Sequence, residues 1–99
     1  MIESFHNQAT EDVFNGVNSA AARKLCPQRL RAVARRKLDQ IDSAQELKDL
    51  GVPPGNRLEP LRGHRTGQHS IRINEQYRIC FVWTPQGPEE VEIVDYHKS

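Results

Sequence analysis

The feature that most constrains this chain is a run of apolar residues on alternate positions, Ile71 and Ile73 followed by Tyr77, Ile79, Phe81 and Trp83. Side chains alternate across a strand, so these residues line one face of a sheet and their neighbours line the other. For both sets to share a core, paired residues must have numbers with an even sum, such as 73 with 77. Asn74-Glu75-Gln76 then forms a three-residue turn. A slip of one residue would point the whole apolar set at solvent. The same register sets Arg72 beside Arg78 on the opposite face, where two guanidinium groups repel unless an anion lies across them. That pair is a candidate phosphate seat.

Further strands are expected at 1–5, 57–61 and 91–96, with the central two at 68–73 and 77–83. Between residues 5 and 57 the period is helical. Residues 10–14 read as a turn of helix, with Thr10 able to cap it and Gly16 to stop it. After Pro27 a helix is expected over 28–41, with Leu30, Val33, Ala34, Leu38 and Ile41 on one face. Its other face carries Arg29, Arg31, Arg35, Arg36 and Lys37, which suit either a solvated surface or a secondary RNA or ribosome contact. Ser43-Ala44-Gln45-Glu46 has capping-box spacing, so a short third helix through Leu47 and Leu50 should end at Gly51. Pro53-Pro54-Gly55 closes the helical half. The expectation is one α+β domain over 1–99, helical to about residue 55 and a basic sheet from about residue 56.

A chain of 99 residues with 36% apolar and 27% charged residues can build one core and is neither disordered nor membrane-embedded in composition. The opening residues carry neither a basic leader nor an apolar segment, so a cytoplasmic protein is expected. In that reducing setting Cys26 and Cys80 are expected as buried or half-buried thiols rather than a bridge.

The net charge of +1 conceals an arginine bias: ten of fourteen cationic residues are arginine, the side chain suited to bidentate phosphate contact. Between residues 57 and 78, Arg57, Arg62, Arg65, Arg72 and Arg78 face only two acids, Glu59 and Glu75. With so modest a net charge, free nucleic acid should be held weakly, and an RNA substrate would need to be presented by something else.

On the last strand Val91 and Ile93 take the core parity, so Glu92, Val94 and Tyr96 join Arg72 and Arg78. The loop Arg62-Gly63-His64-Arg65-Thr66-Gly67 suits either a mobile phosphate-contacting loop or a polar hairpin loop. The terminal Asp95-Tyr96-His97 supplies a carboxylate, a phenol and an imidazole, candidates for proton transfer. His6, His64, His69 and His97 lack helical ligand spacing, so neither a metal nor another cofactor is expected. His69 shares the parity of Ile71 and reads as a packed ring.

An ordered series of segments carries a resemblance: Arg57-Leu58-Glu59-Pro60-Leu61, Gly63, Arg65-Thr66-Gly67-Gln68, Ser70-Ile71-Arg72-Ile73-Asn74, Gln76-Tyr77-Arg78-Ile79-Cys80-Phe81, and Val91-Glu92-Ile93-Val94-Asp95-Tyr96-His97. In this order and at these intervals they resemble the HigB toxins, or plasmid maintenance killer proteins, of the RelE/ParE superfamily. The resemblance covers nearly the whole chain. It implies a RelE-like fold, with helices on one side of a mainly antiparallel sheet, and a toxin of a type II toxin–antitoxin system. The implied activity is a metal-independent endoribonuclease that cuts mRNA in the A site of the small ribosomal subunit. The implied partners are a HigA-type antitoxin, in a possible heterotetramer, together with the ribosome and mRNA.

By the same likeness Asp95, Tyr96 and His97 match the family's C-terminal catalytic group and Arg78 its central-strand arginine. Arg62 and Arg65 match basic loop positions, with Arg57, Arg72 and His64 as further candidates for phosphate contact. Some relatives have a histidine before the Pro-Leu pair, where this chain has Glu59, so Glu59, Asp95 and a deprotonated His97 all stand as candidate bases. Two other readings have different expectations: a ParE-like toxin that binds gyrase without RNA chemistry, and a non-catalytic module whose arginines only dock on phosphate.

Overall fold

The computed structural model describes residues 1–96 of the chain. Three helices, α1 (Gln8–Asn15), α2 (Ala20–Leu25) and α3 (Gln28–Ser43), precede four strands, β1 (Glu59–Pro60), β2 (His69–Arg72), β3 (Tyr77–Thr84) and β4 (Gly87–Asp95). The strands form one antiparallel sheet in chain order. Ile71, Ile79, Phe81, Val91 and Ile93 pack under Val13, Ala22, Ala34, Leu38 and Ile41, which places the core between the helices and one sheet face. The arrangement is the expected α+β one.

The central hairpin has the expected register. Arg72 pairs with Arg78 and Ile71 with Ile79, and Asn74 closes the turn by accepting from the amides of Gln76 and Tyr77. The fourth strand starts earlier than the expected 91–96 because a bulge interrupts the β3–β4 ladder between Cys80 and Val82. Glu90 takes φ 54 there, so one extra residue inverts the side-chain parity. Pro88 is buried before the bulge and Val91 and Ile93 after it. At the far end of this hairpin Gly87 is obligatory: a Cβ would lie 2.5 Å from the carbonyl oxygen of Met1.

Residues 1–5 do not form a strand; they contribute a single parallel bridge, Phe5 to Val91. The bulge explains this, because the Glu90 amide is turned to the hydroxyl of Ser4 and breaks the ladder that a second strand would need. Thr10 is not the α1 cap. Asn7 caps by accepting from the Thr10 amide, and the buried Thr10 hydroxyl accepts from the amide of Ile93, tying helix to sheet. Ser43 likewise is the last residue of α3 rather than a cap. The 3-10 turn Leu47–Gly51 is capped by Asp49, which accepts from the amides of Gln45 and Glu46. The expected strand at 57–61 shrinks to two residues because Arg57 takes φ 47 after the 3-10 turn Pro54–Asn56, and the chain turns again at Gly63–Arg65.

Helix α2 has no counterpart in the apolar periodicity. It depends on Ser19, whose hydroxyl accepts from the amide of Ala22 and donates to Asp12; Gln8 donates to the same carboxylate. These hydrogen bonds hold the Asp12 pKa below the usual carboxylate value. A depressed folded-state pKa adds stability that is complete above the unfolded pKa and lost as pH falls through the folded one. The melting temperature of the native protein is therefore expected to exceed that of Asp12→Asn at about pH 6, the two converging towards about pH 3. A gap that stayed constant over that range would refute the account.

Candidate active site

Beyond the core, the second face of the sheet carries Ser70, Arg72, Arg78, Cys80 and Glu92, and Tyr96 follows directly after β4. Arg78 is its centre and is only 9% exposed. Its Nε donates to Ser70 Oγ at 2.7 Å and its Nη2 to the Arg57 carbonyl at 2.7 Å, while Glu59 lies 3.6 Å from Nη2. Its Cζ sits 5.7 Å from the centroid of the Tyr96 ring, a cation–π distance.

The carbonyl of Arg57 reaches Arg78 because Arg57 adopts φ 47, an uncommon conformation for a residue with a side chain. The preceding residue anchors it. Asn56 is fully buried, donates to Gln40 and to the carbonyls of Leu50 and Val52, and accepts a hydrogen bond from Lys37. Of the five cations expected on the outer face of α3, Lys37 is thus turned inward, and burial lowers its pKa. Arg31 is also engaged, donating to Asn18 and the Cys26 carbonyl, whereas Arg29, Arg35 and Arg36 are exposed.

Two clefts meet at Tyr96. One, of about 320 Å³, is lined by Glu59, Leu61, Arg62, His64, Arg65 and Tyr96. The other, of about 340 Å³, is lined by Arg57, Arg72, Asn74, Glu75, Arg78 and Tyr96. A larger groove of about 640 Å³ runs from Asp42–Leu47 to the β3–β4 turn, but its charged side chains are the acids Asp42 and Glu46, which suit no polyanion.

The structure thus brings together Arg57, Arg72, Arg78, Glu59, Arg62, His64, Arg65 and Tyr96. Asp95 is set apart, with the parity of Ile93 and its carboxylate accepting from Gln76 in the hairpin turn. His97 lies outside the described residues. The repulsion between Arg72 and Arg78 is offset within the chain, since Glu75 approaches Arg72 at 3.9 Å as Glu59 approaches Arg78. Arg65 is held by Gln68 at 3.0 Å and Glu92 at 3.3 Å.

Burial raises the Tyr96 pKa above its ordinary value, further raised by Cys80 and partly opposed by Ser70 and Arg78, so the phenol keeps its proton at neutral pH. Burial likewise raises the pKa of Cys26 and of Cys80, both free thiols, so neither is an activated nucleophile. His69 packs against Phe81 as a ring, at 6.5 Å between centroids. Among the described residues no three His, Cys, Asp or Glu side chains converge as a metal-ligand set, and no helix is long and apolar enough to cross a membrane.

Helices packed on one face of a small antiparallel sheet is the arrangement that the sequence resemblance implies. A family model described as RelE-like toxin of type II toxin-antitoxin system HigB matches residues 3–97. The chain belongs to this HigB-like family. It is 47% identical over 60 residues to Toxin HigB-1 of Vibrio cholerae, covering 61% of this chain and 63% of that protein. It is 42% identical over 57 residues to an uncharacterized protein of Haemophilus influenzae, covering 58% of this chain and 56% of that one. The chain spans less than two thirds of the length of either relative.

Two residues of this candidate site are absent from the sequence expectations. Ser70 lies on the parity of Arg72 and Arg78, a signal that could have marked it. Asn56 had no such signal, because its partners at 37, 40, 50 and 52 converge only in the folded chain.

Proposed function

We propose that this HigB-like protein is the toxin of a type II toxin–antitoxin system and a ribosome-dependent endoribonuclease that cuts mRNA in the A site. The observation that carries the reading is the Arg78–Tyr96 pair, a fixed cation and an aromatic face at the junction of two arginine-lined clefts. The strand would lie across that junction. A 2′-hydroxyl attacks its own 3′-phosphate in line, the bond to the 5′-oxygen breaks, and the products are a 2′,3′-cyclic phosphate and a 5′-hydroxyl.

Arg78, with Arg72 as its outer neighbour, meets the charge that develops on the phosphorane. Arg57, Arg62, Arg65 and His64 contact flanking phosphates, which positions the strand without reading its sequence. Tyr96 orients by stacking, since its phenol is held protonated. As base we favour Glu59, which lines the cleft beside Tyr96, over Asp95, which is engaged with the turn. His97 would supply the proton to the leaving oxygen. No metal enters this scheme. The partners are a HigA-type antitoxin, in a possible heterotetramer, and the translating ribosome, which supplies what so small a net charge cannot.

The test is a map of mRNA 5′ ends from translating ribosomes and from naked RNA. Cuts at codon-spaced positions on ribosomes alone are expected. They should bear 5′-hydroxyl ends and vanish when the cut nucleotide carries a 2′-deoxy sugar. Cuts that survive that substitution would overturn the proposed chemistry, and their absence on ribosomes would overturn the activity.

A further inference from the structure

Ser70 is completely buried, so it cannot touch a substrate, yet it is bonded directly to Arg78, the side chain at the centre of the site. Its Oγ accepts from Arg78 Nε at 2.7 Å, leaving its own proton to be donated elsewhere. Tyr96 stands beside the same guanidinium, its ring centroid 5.7 Å from Arg78 Cζ, and Ser70 draws the Tyr96 pKa down against the effect of burial. The phenol's own neighbour on β3, Cys80 Sγ at 4.0 Å, is a poor hydrogen-bonding group and a neutral thiol.

We propose that Ser70 is a positioning residue whose hydroxyl, by accepting from Nε, fixes the Arg78 guanidinium in one orientation beside the Tyr96 ring. The proposal rests on the ribonuclease reading and adds to it the device that holds the guanidinium. Arg78 has Arg72 as its direct cross-strand partner, and charge repulsion alone would let the guanidinium swing anywhere away from it. The hydroxyl selects one direction. With Nε on Ser70 and Nη2 on the Arg57 carbonyl, two corners of a rigid planar fork are occupied, and Nη1 bonds no acceptor among the described residues. That leaves one defined corner for a phosphate oxygen. Removing the hydroxyl keeps the charge and the ring but frees their mutual angle.

Ser70→Ala is therefore expected to reduce the single-turnover rate of ribosome-bound cutting by about 10²-fold, the scale for misplacing a reacting group by an ångström. The KM should stay within about twofold, because Arg57, Arg62, Arg65 and Arg72 still hold the strand. Ser70→Thr, which keeps the hydroxyl, should recover most of the rate. A second readout needs no activity: in the native protein the Arg78 Nε–H should exchange with solvent far more slowly than those of exposed Arg29 and Arg36 by NMR. In Ser70→Ala it should match them, with the melting transition still cooperative. A protected Nε–H in Ser70→Ala, or a rate equal to native, would overturn the positioning role. A native protein that cuts nothing on ribosomes would instead overturn the ribonuclease reading on which the proposal rests.

Discussion

Arg78→Ala is expected to lower the rate of A-site cutting by about 10³-fold, as removal of a preorganised donor at a developing anion does elsewhere. That factor corresponds to about 4 kcal/mol of transition-state stabilisation. The cost to folding should be smaller. The deletion leaves the buried Ser70 Oγ and the Arg57 carbonyl without their donor, but Arg78 lines the cleft, so truncating it opens both to water and about 1 to 3 kcal/mol of stability is at stake. The variant should therefore remain folded while losing activity. Arg78→Lys separates charge from geometry: an ammonium keeps the charge but cannot bond Ser70, the Arg57 carbonyl and a phosphate from one planar frame, and about 10²-fold of the loss should persist. Arg72→Ala makes the contrast: among the described residues Arg72 has Glu75 at 3.9 Å as its one ion-pair partner, it is more exposed than Arg78, and its loss should mainly weaken binding. Rapid-quench cutting on programmed ribosomes, with melting curves for each variant, measures all three. An Arg78→Ala protein within tenfold of native would remove Arg78 from the centre of the mechanism.

The placement of Arg78 opposite Arg72 could be read from the sequence because alternation of apolar residues admits only even-sum registers, and a three-residue turn at 74–76 selects the one that pairs them. The same parity brought Tyr96 to that face. What could not be read depends on contacts between distant segments. The bulge at Glu90 is held by contacts with residues 3–6, distant in the chain, and no residue type around it announces it. The clamp on Arg78 needs the Arg57 carbonyl, whose direction is set by Asn56 and through it by Lys37 and Gln40 on α3. In sequence Lys37 is one more cation on a basic helix face. In the structure its partner is a buried amide, and the helical layer becomes part of the scaffold behind the cleft.

His97→Ala is expected to cost about 10³-fold in cutting rate, within the range for a positioned general acid or base. The leaving group is a 5′-alkoxide, which departs slowly without a proton. Tyr96 is a poor substitute as donor because burial raises its pKa above the ordinary phenol value, away from neutrality. An imidazole, whose ordinary pKa lies far closer to neutrality than a phenol's, is matched to the task, and as acid it should make the native rate fall as pH rises above neutrality. This limb should vanish in His97→Ala. A substrate with sulfur in place of the 5′-bridging oxygen decides the role, because a thiolate leaves without a proton. It should restore His97→Ala to within about tenfold of native, since only the step that requires an acid has been bypassed. It should do little for Arg78→Ala, whose deficit lies in the charge of the phosphorane, or for Glu59→Gln, whose deficit lies in activation of the 2′-hydroxyl. Rescue of Glu59→Gln with no rescue of His97→Ala would exchange the two roles, making His97 the base and Glu59 the acid.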